Sequence, residues 1–182
     1  MQITQTTQPI TLNKIRLLES KSILLRKTLL RIIYTAKAGH TGGSLSCVDI
    51  LNVLYNHVMN ISPENFSETN RDHYIHSKGH SVEALYAVLA DKGFFPFEAL
   101  DSVEKYGSDF FGHPTRSVPG IEQNTGALGH GLYVAVGMAL AAKMNVRVNY
   151  YLQMCHLQNV TQIIYKTNRE VTRLINYRGS RP

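Results

Sequence analysis

The chain has 182 residues, 43% of them hydrophobic, so it is long enough for one domain with a buried core. Its net charge of +6 belongs almost entirely to residues 146–182, which argues against nucleic acid as a partner of the nearly neutral body. Two cysteines give no disulfide framework, the first residues form no apolar signal sequence, and no apolar run reaches the roughly 18 residues that span a membrane. We therefore expect a cytoplasmic protein that does not enter a membrane.

The first third of the chain is predicted to be helical. Residues 1–11 are polar and are expected to be extended. From Leu12 to Ala36, apolar residues recur at helical spacing, which predicts a long amphipathic helix. A turn with three glycines follows at 39–44 (GHTGGS), and we expect Ser44 or Ser46 to cap a second helix after it.

The middle of the chain predicts a strand, a glycine turn and a helix. Residues 73–77 (HYIHS) have strand character, and residues 81–90 have helical spacing. Ligands of α/β proteins usually bind at the carboxyl end of such a strand, where His80 would stand. The histidines at 73, 76 and 80 also suggest zinc, but no nearby pair of cysteines or carboxylates completes a closed site. We therefore predict no metal ligands here.

Further along, a short helix is predicted over 97–106, and Phe-Gly-His-Pro at 111–114 forms another glycine and proline turn. The stretch from Thr125 to Ala142 (TGALGHGLYVAVGMALAA) combines a glycine-rich turn with a helix of small residues. A helix that begins after such a turn directs N–H groups and partial positive charge towards a ligand, which favours a diphosphate. Three glycines alone are equally compatible with a tightly packed helix.

Three histidines, His40, His80 and His113, each directly follow a glycine in a separate irregular connection. Loops carry functional residues more often than cores do. Neutral imidazoles exchange hydrogen bonds with hydroxyls and phosphates and move protons near neutral pH. The constellation predicts a site for a polyhydroxylated, phosphorylated ligand, with the three histidines converging on it.

Four motifs in this order, GHTGGSLS (39–46), SKGH (77–80), FGHP (111–114) and TGALGHGLYVAVGMALA (125–141), resemble the N-terminal section of transketolases. The resemblance covers about residues 12–145 and is strongest to the separate N-terminal subunits of split transketolases. It implies thiamine diphosphate and Mg²⁺ as cofactors and transfer of a two-carbon ketol unit between sugar phosphates, as in the pentose phosphate pathway. It also implies an oligomer of like or unlike chains.

The resemblance assigns roles to individual residues. His40 resembles the family's substrate-facing histidine, His80 the histidine near the diphosphate and substrate, and His113 the histidine that contacts substrate near the reacting carbon. The stretch Gly126, Ala127 and Leu128 matches the segment that lies along the cofactor.

Two positions depart from the family pattern within these motifs. Thr41 replaces the usual proline after His40, and His130 stands where the family often has glutamine, so His130 is given less weight.

A larger departure follows residue 145. The family continues with a strand, a Gly-Asp-Gly motif and a later asparagine that hold Mg²⁺, whereas this chain has no Gly-Asp-Gly and one acidic residue, Glu170, beyond 145. Either the end of the chain was replaced, for example by a frameshift, or it diverged and forms an amphipathic helix over about 160–176. We predict that residues 146–182 pack poorly and supply neither the central strand nor the metal loop.

We therefore predict a partial thiamine diphosphate-binding α/β fold, with a parallel sheet flanked by helices and mostly helical in this fragment. Residues 1–11 would be extended, 12–145 the partial domain and 146–182 an atypical basic tail. The chain would need a C-terminal transketolase subunit or domain in trans and be inactive alone. The alternatives are a non-catalytic remnant that only associates with partners and, more weakly, a nucleic-acid binder acting through the tail.

Overall fold

The computed structural model describes residues 10–69, 71–145, 150–153 and 162–165. The α-helices are α1 (Leu12–Ala36), α2 (Thr41–Leu45), α3 (Val48–Val53), α4 (Val82–Asp91) and α5 (His130–Asn145), and the strands are β1 (His73–His76), β2 (Tyr150–Gln153) and β3 (Gln162–Tyr165). Most of the predicted extended segment, residues 1–9, lies outside the described residues.

Helix α1 has the predicted bounds, and its apolar stripe is the buried face. Thr11 caps its start by accepting a hydrogen bond from the Lys14 N–H, and Leu18, Leu25, Leu29 and Ile32 are buried. Ser22 interrupts the stripe but is satisfied, because its hydroxyl accepts a hydrogen bond from the Asn52 amide at 2.8 Å. The helical spacing in this part of the sequence therefore predicts the packing correctly.

The predicted cap at Ser44 or Ser46 is wrong. The helix begins inside the glycine turn, so Gly42 and Gly43 belong to α2, and α3 begins after Cys47 without a side-chain cap. The Ser44 hydroxyl is instead directed to a carboxylate on α4, and Ser46 donates to the Gly43 carbonyl at 2.7 Å. These tertiary partners outweigh the local preference of serine for a cap.

Helix α4 is the centre of the core. Its first nine residues are all buried, and it packs against α1, α3 and the short 3₁₀ helix Phe97–Ser102. The short helix predicted over 97–106 is therefore a 3₁₀ helix that ends at Ser102, because Val103 leaves the helical conformation (ψ 132°). A further turn of π-helix, Leu54–Val58, extends α3 into the same core.

The sheet has the order β1-β2-β3 among the described strands. Strand β2 pairs in parallel with β1, His73 opposite Tyr150 and His76 opposite Gln153, and β3 pairs antiparallel with β2. Helix α5 packs against β1 and β2, with Ala135 against Ile75. The predicted α/β fold with mostly helical content is confirmed.

The prediction that residues 146–182 supply no central strand is wrong, because β2 occupies that place. Tyr150 and Tyr151 are of a residue type that is enriched in strands, and the parallel partner β1 was too distant in sequence to reveal the pairing. The amphipathic helix over about 160–176, one of the two alternatives for this segment, is not formed at 162–165, which form β3. The rest of that segment, and the place of the expected metal loop, lie outside the described residues.

Within the described residues, no helix combines the length and the apolar character that a membrane crossing requires.

Candidate functional site at the carboxyl end of β1

The three Gly-His turns meet beyond the carboxyl end of β1. The rings of His40 and His80 are 5.1 Å apart between centroids, at an interplanar angle of 69°. A Cβ atom at position 79 would lie 3.1 Å from His113 Cδ2, and one at position 126 would lie 3.4 Å from the same atom. The three histidines and the Gly126 turn therefore form one cluster, which is the geometry that the sequence predicts.

Close backbone contact brings the turns together. A Cβ atom at position 79 would lie 3.0 Å from both Gly126 N and Gly126 Cα, and one at position 131 would lie 2.6 Å from Ser77 Cβ. Only glycine permits these approaches without displacing the backbone. The start of α5 is thereby placed directly against the segment that leaves β1.

Each turn is also held by a hydrogen bond. The Thr125 hydroxyl donates to the His76 carbonyl at 2.6 Å, and the Thr125 N–H donates to the Pro114 carbonyl at 3.3 Å. The buried Tyr86 hydroxyl of α4 donates to the Phe111 carbonyl at 2.8 Å, two residues before His113. The His113 turn is consequently tied to both the core and the glycine turn.

His80 is the half-buried member of the cluster, whereas His40 and His113 are exposed. Burial lowers the pKa of His80, and the nearby Lys78, His40 and His113 lower it further, against an opposing contribution from Glu83. The His80 imidazole is therefore neutral at physiological pH and can both donate and accept a hydrogen bond.

The residues of the glycine turn are accessible. Ala127 and Leu128 are exposed and Gly126 is partly so, while Gly129 has φ 86° and closes the turn before α5. His130 is exposed at the first position of α5. A diphosphate could thus reach the N-terminus of a 16-residue helix from the side on which the histidines lie.

Two charged residues in this region were not predicted. Lys78 extends its ammonium group to the Gly43 carbonyl (3.1 Å) and the Ser46 hydroxyl (2.9 Å), which ties the His80 turn to α2. Glu83 is buried on α4 and accepts hydrogen bonds from the His40 N–H (3.1 Å) and the Ser44 hydroxyl (2.6 Å). The sequence signals were a lysine inside a recognised motif and a glutamate in an otherwise apolar helix.

His73 and His76, which raised the possibility of zinc, have other partners. His76 is buried between the Tyr74 hydroxyl (2.8 Å from Nδ1) and the Ser81 hydroxyl (3.0 Å from Nε2), and burial lowers its pKa to about 3. His73 Nδ1 lies 3.1 Å from Glu122 Oε1. Over the part of the chain that the structure describes, no group of three or more His, Cys, Asp or Glu side chains could hold a metal ion.

A protein-family model covers the segments that form this cluster. The model of the transketolase thiamine diphosphate binding domain matches residues 20–165. That match extends past residue 145, into the segment that contains β2 and β3.

Two curated relatives are named as transketolase subunits. The chain is 54% identical over 132 residues to a subunit of the apulose-4-phosphate transketolase of Phocaeicola vulgatus, covering 72% of this chain and 47% of the relative. It is 43% identical over 129 residues to the 6-deoxy-6-sulfo-D-fructose transketolase subunit SqwG of a Clostridium species, covering 70% and 47%. The matched part thus spans about half the length of these relatives.

The fold of this chain is also similar to solved structures of transketolases. The crystal structure of transketolase from Campylobacter jejuni aligns with a TM-score of 0.71 at 32% identity, covering 76% of this chain and 23% of that one. Transketolase from Leishmania mexicana aligns with a TM-score of 0.68 at 30% identity, covering 75% and 22%.

Proposed function

The chain belongs to the transketolase family, through its thiamine diphosphate-binding N-terminal domain, and on that premise we propose that it forms part of a ketol-transferring site. The reaction would move a two-carbon unit from a ketose phosphate to an aldose phosphate. The observation that carries the proposal is the cluster of His40, His80 and His113 against the Gly126 turn at the carboxyl end of β1.

The glycine turn and His80 would hold the cofactor. Gly126, Ala127 and Leu128 are accessible, and the α5 N-terminus beside them favours a negatively charged group. His80 is neutral and half-buried at the same place, so it can donate a hydrogen bond to a diphosphate oxygen. When bound, thiamine diphosphate supplies the nucleophilic carbon that accepts the two-carbon unit.

His40 and His113 would act on the sugar phosphate. Both rings are exposed beside His80, so they can orient substrate hydroxyls and move protons to and from them. An imidazole is suited to this because its two ring nitrogens can donate and accept hydrogen bonds. The three histidines would thus divide the work between binding, orientation and proton transfer.

The site in this chain would be incomplete. The chain spans about half the length of its curated relatives, which are themselves single subunits of transketolases, so a C-terminal subunit or domain would act in trans within a homo- or hetero-oligomer. The family's Mg²⁺ remains an expectation, because the Gly-Asp-Gly motif is absent and the described residues offer no cluster of three metal ligands.

Calorimetry and a transfer assay on the 182-residue chain test this proposal. Thiamine diphosphate should bind the chain alone with a dissociation constant in the millimolar range at best, which corresponds to a binding free energy on the order of −4 kcal/mol. The binding should be weak because the dipole of one helix end contributes only about 0.3–2 kcal/mol. Xylulose 5-phosphate and ribose 5-phosphate should give no turnover until a C-terminal transketolase subunit is added. Micromolar, Mg²⁺-dependent binding by the chain alone would contradict the proposal that it is incomplete.

The alternative is a non-catalytic remnant or frameshifted fragment that acts at most as an association module. The missing Gly-Asp-Gly motif favours it. Reading the coding DNA in the other frames after codon 145 separates a frameshifted fragment from a remnant. A continuation that encodes Gly-Asp-Gly supports a frameshift. If no such continuation exists and an added C-terminal subunit restores no transfer, the remnant is favoured.

A further inference from the structure

Glu83 is a buried carboxylate in the interior of the molecule. It lies among the nine buried residues of α4 and is 2% exposed. Removing a carboxylate from water is costly unless hydrogen bonds replace its hydration. A glutamate at this position therefore needs partners, and the structure shows where they lie.

Both carboxylate oxygens are directed to the turn that carries His40. Oε1 accepts the His40 backbone N–H at 3.1 Å, and Oε2 accepts the Ser44 hydroxyl at 2.6 Å. Gly39 has φ 132°, and a Cβ atom there would overlap Glu83 Oε1. The turn is thus folded directly over the carboxylate, with glycine as the residue that permits the approach.

Glu83 also belongs to the element that carries His80. The 3₁₀ turn Gly79–Ser81 leads into α4 at Val82, so His80 and Glu83 are separated by one helical turn. The ring centroids of the exposed His40 and of His80 are 5.1 Å apart, so fixing the His40 backbone relative to α4 limits how far the two imidazoles can separate.

We propose that Glu83 is a positioning residue that anchors the His40 turn to α4 and thereby holds His40 against His80. Its consequence for catalysis rests on the function proposed above, whereas the positioning itself does not. Glu83 touches no reacting atom. It acts through the His40 backbone and through its charge.

The charge provides a readout that a purely structural role would not change. The carboxylate of Glu83 opposes the lowering of the His80 pKa that burial, Lys78, His40 and His113 produce. Glu83→Gln can keep both contacts, since its carbonyl oxygen accepts from the His40 N–H while its amide donates to the Ser44 hydroxyl. It should therefore lower the His80 pKa further and leave the geometry intact.

The test is NMR of the full 182-residue chain with isotope-labelled histidines. The wild-type chain should show a nuclear Overhauser effect between the His40 and His80 rings. Glu83→Gln should keep it and lower the His80 pKa, whereas Glu83→Ala should lose it. Glu98→Ala, which removes an exposed carboxylate from the Phe97–Ser102 turn, is the matched control and should change neither.

Ser44→Ala keeps the test decisive if Glu83→Ala does not fold, because it removes one of the two contacts without emptying the α4 core. It should weaken the effect between the rings. An unchanged His40–His80 effect in Ser44→Ala, or an unchanged His80 pKa in Glu83→Gln, would overturn the inference. Failure of the proposed function would appear differently, as a wild-type chain in which the rings meet but which transfers no ketol unit with an added C-terminal subunit.

Discussion

The two ends of β1 carry different kinds of polar cluster. At the amino end, Arg71 forms a bidentate ion pair with Glu122, and both side chains are less than 10% exposed. At the carboxyl end, His40 and His113 are exposed and His80 is half-buried. Paired and buried charges serve mainly to fix the fold, whereas accessible titratable groups beyond a strand's carboxyl end serve ligands. The same strand thus separates a buried, paired cluster from an accessible one, and the accessible one is where we propose the ligand site.

The largest expected effect is at the amino end. Arg71→Ala removes the bidentate partner of the buried Glu122 carboxylate and leaves it only the contact with His73 among its ion pairs in the described residues. It also removes the hydrogen bond from Arg71 Nε to the Phe66 carbonyl (2.6 Å). We expect the free energy of unfolding to fall by about 3–5 kcal/mol, measured by urea denaturation.

Arg31→Ala is the matched control for that substitution. Arg31 pairs with Asp101 at 3.6 Å with both side chains more than half exposed, so its loss should cost about 1 kcal/mol or less. Equal losses in the two variants would show that the amino end of β1 is not a structural clamp.

The next effect is the pH dependence that His76 confers at the last position of β1. Burial lowers the pKa of His76 to about 3, below its ordinary value of 6.5, so the folded chain binds this proton less readily than the unfolded chain. The stabilisation is present above pH 6.5 and is lost as the pH falls towards 3. Between pH 6.5 and 4.5 the loss should reach about 2–3 kcal/mol, at 1.36 kcal/mol per unit.

Urea denaturation across this pH range gives the free energy of unfolding of the wild type and of His76→Gln as a function of pH. The loss of stability due to His76 should be absent from the variant. His57→Gln, at an exposed position, is the control and should retain it. A slope that persists in His76→Gln would show that other groups produce it.

A smaller effect is expected from the glycine contact at the carboxyl end. Gly79→Ala places a methyl group 3.0 Å from Gly126 and 3.1 Å from His113, so the turns must separate, at a cost of about 1–3 kcal/mol. Gly137→Ala, where no atom lies within 4 Å of the added Cβ, should instead stabilise α5 by about 0.5–1 kcal/mol. Thermal unfolding gives the melting temperature of each variant relative to the wild type. Equal shifts of the melting temperature in the two variants would mean that the Gly79 contact is not tight.

Much of this arrangement could be predicted from local sequence. The apolar spacing predicted α1, and the shared Gly-His context predicted the meeting of His40, His80 and His113. The features that the sequence did not predict depend on partners that are distant in the chain. Strand β2 needs β1, about 75 positions earlier, and Glu83 needs the turn at 39–44, so neither is visible in a local pattern. The basic composition beyond residue 145 also drew attention away from residues 150–152, so the strand there was not predicted.

The most direct test of the central claim is a titration of the histidine-labelled chain with thiamine diphosphate, followed by NMR. The ring signals of His80 and His113 should shift together, with half-saturation in the millimolar range, while His57 should not move. Thiamine without its diphosphate is the matched control and should cause much smaller shifts, because the glycine turn and the α5 N-terminus favour the anionic group. Equal shifts with both compounds, or shifts at His57 and none at His80, would contradict a diphosphate site at the carboxyl end of β1.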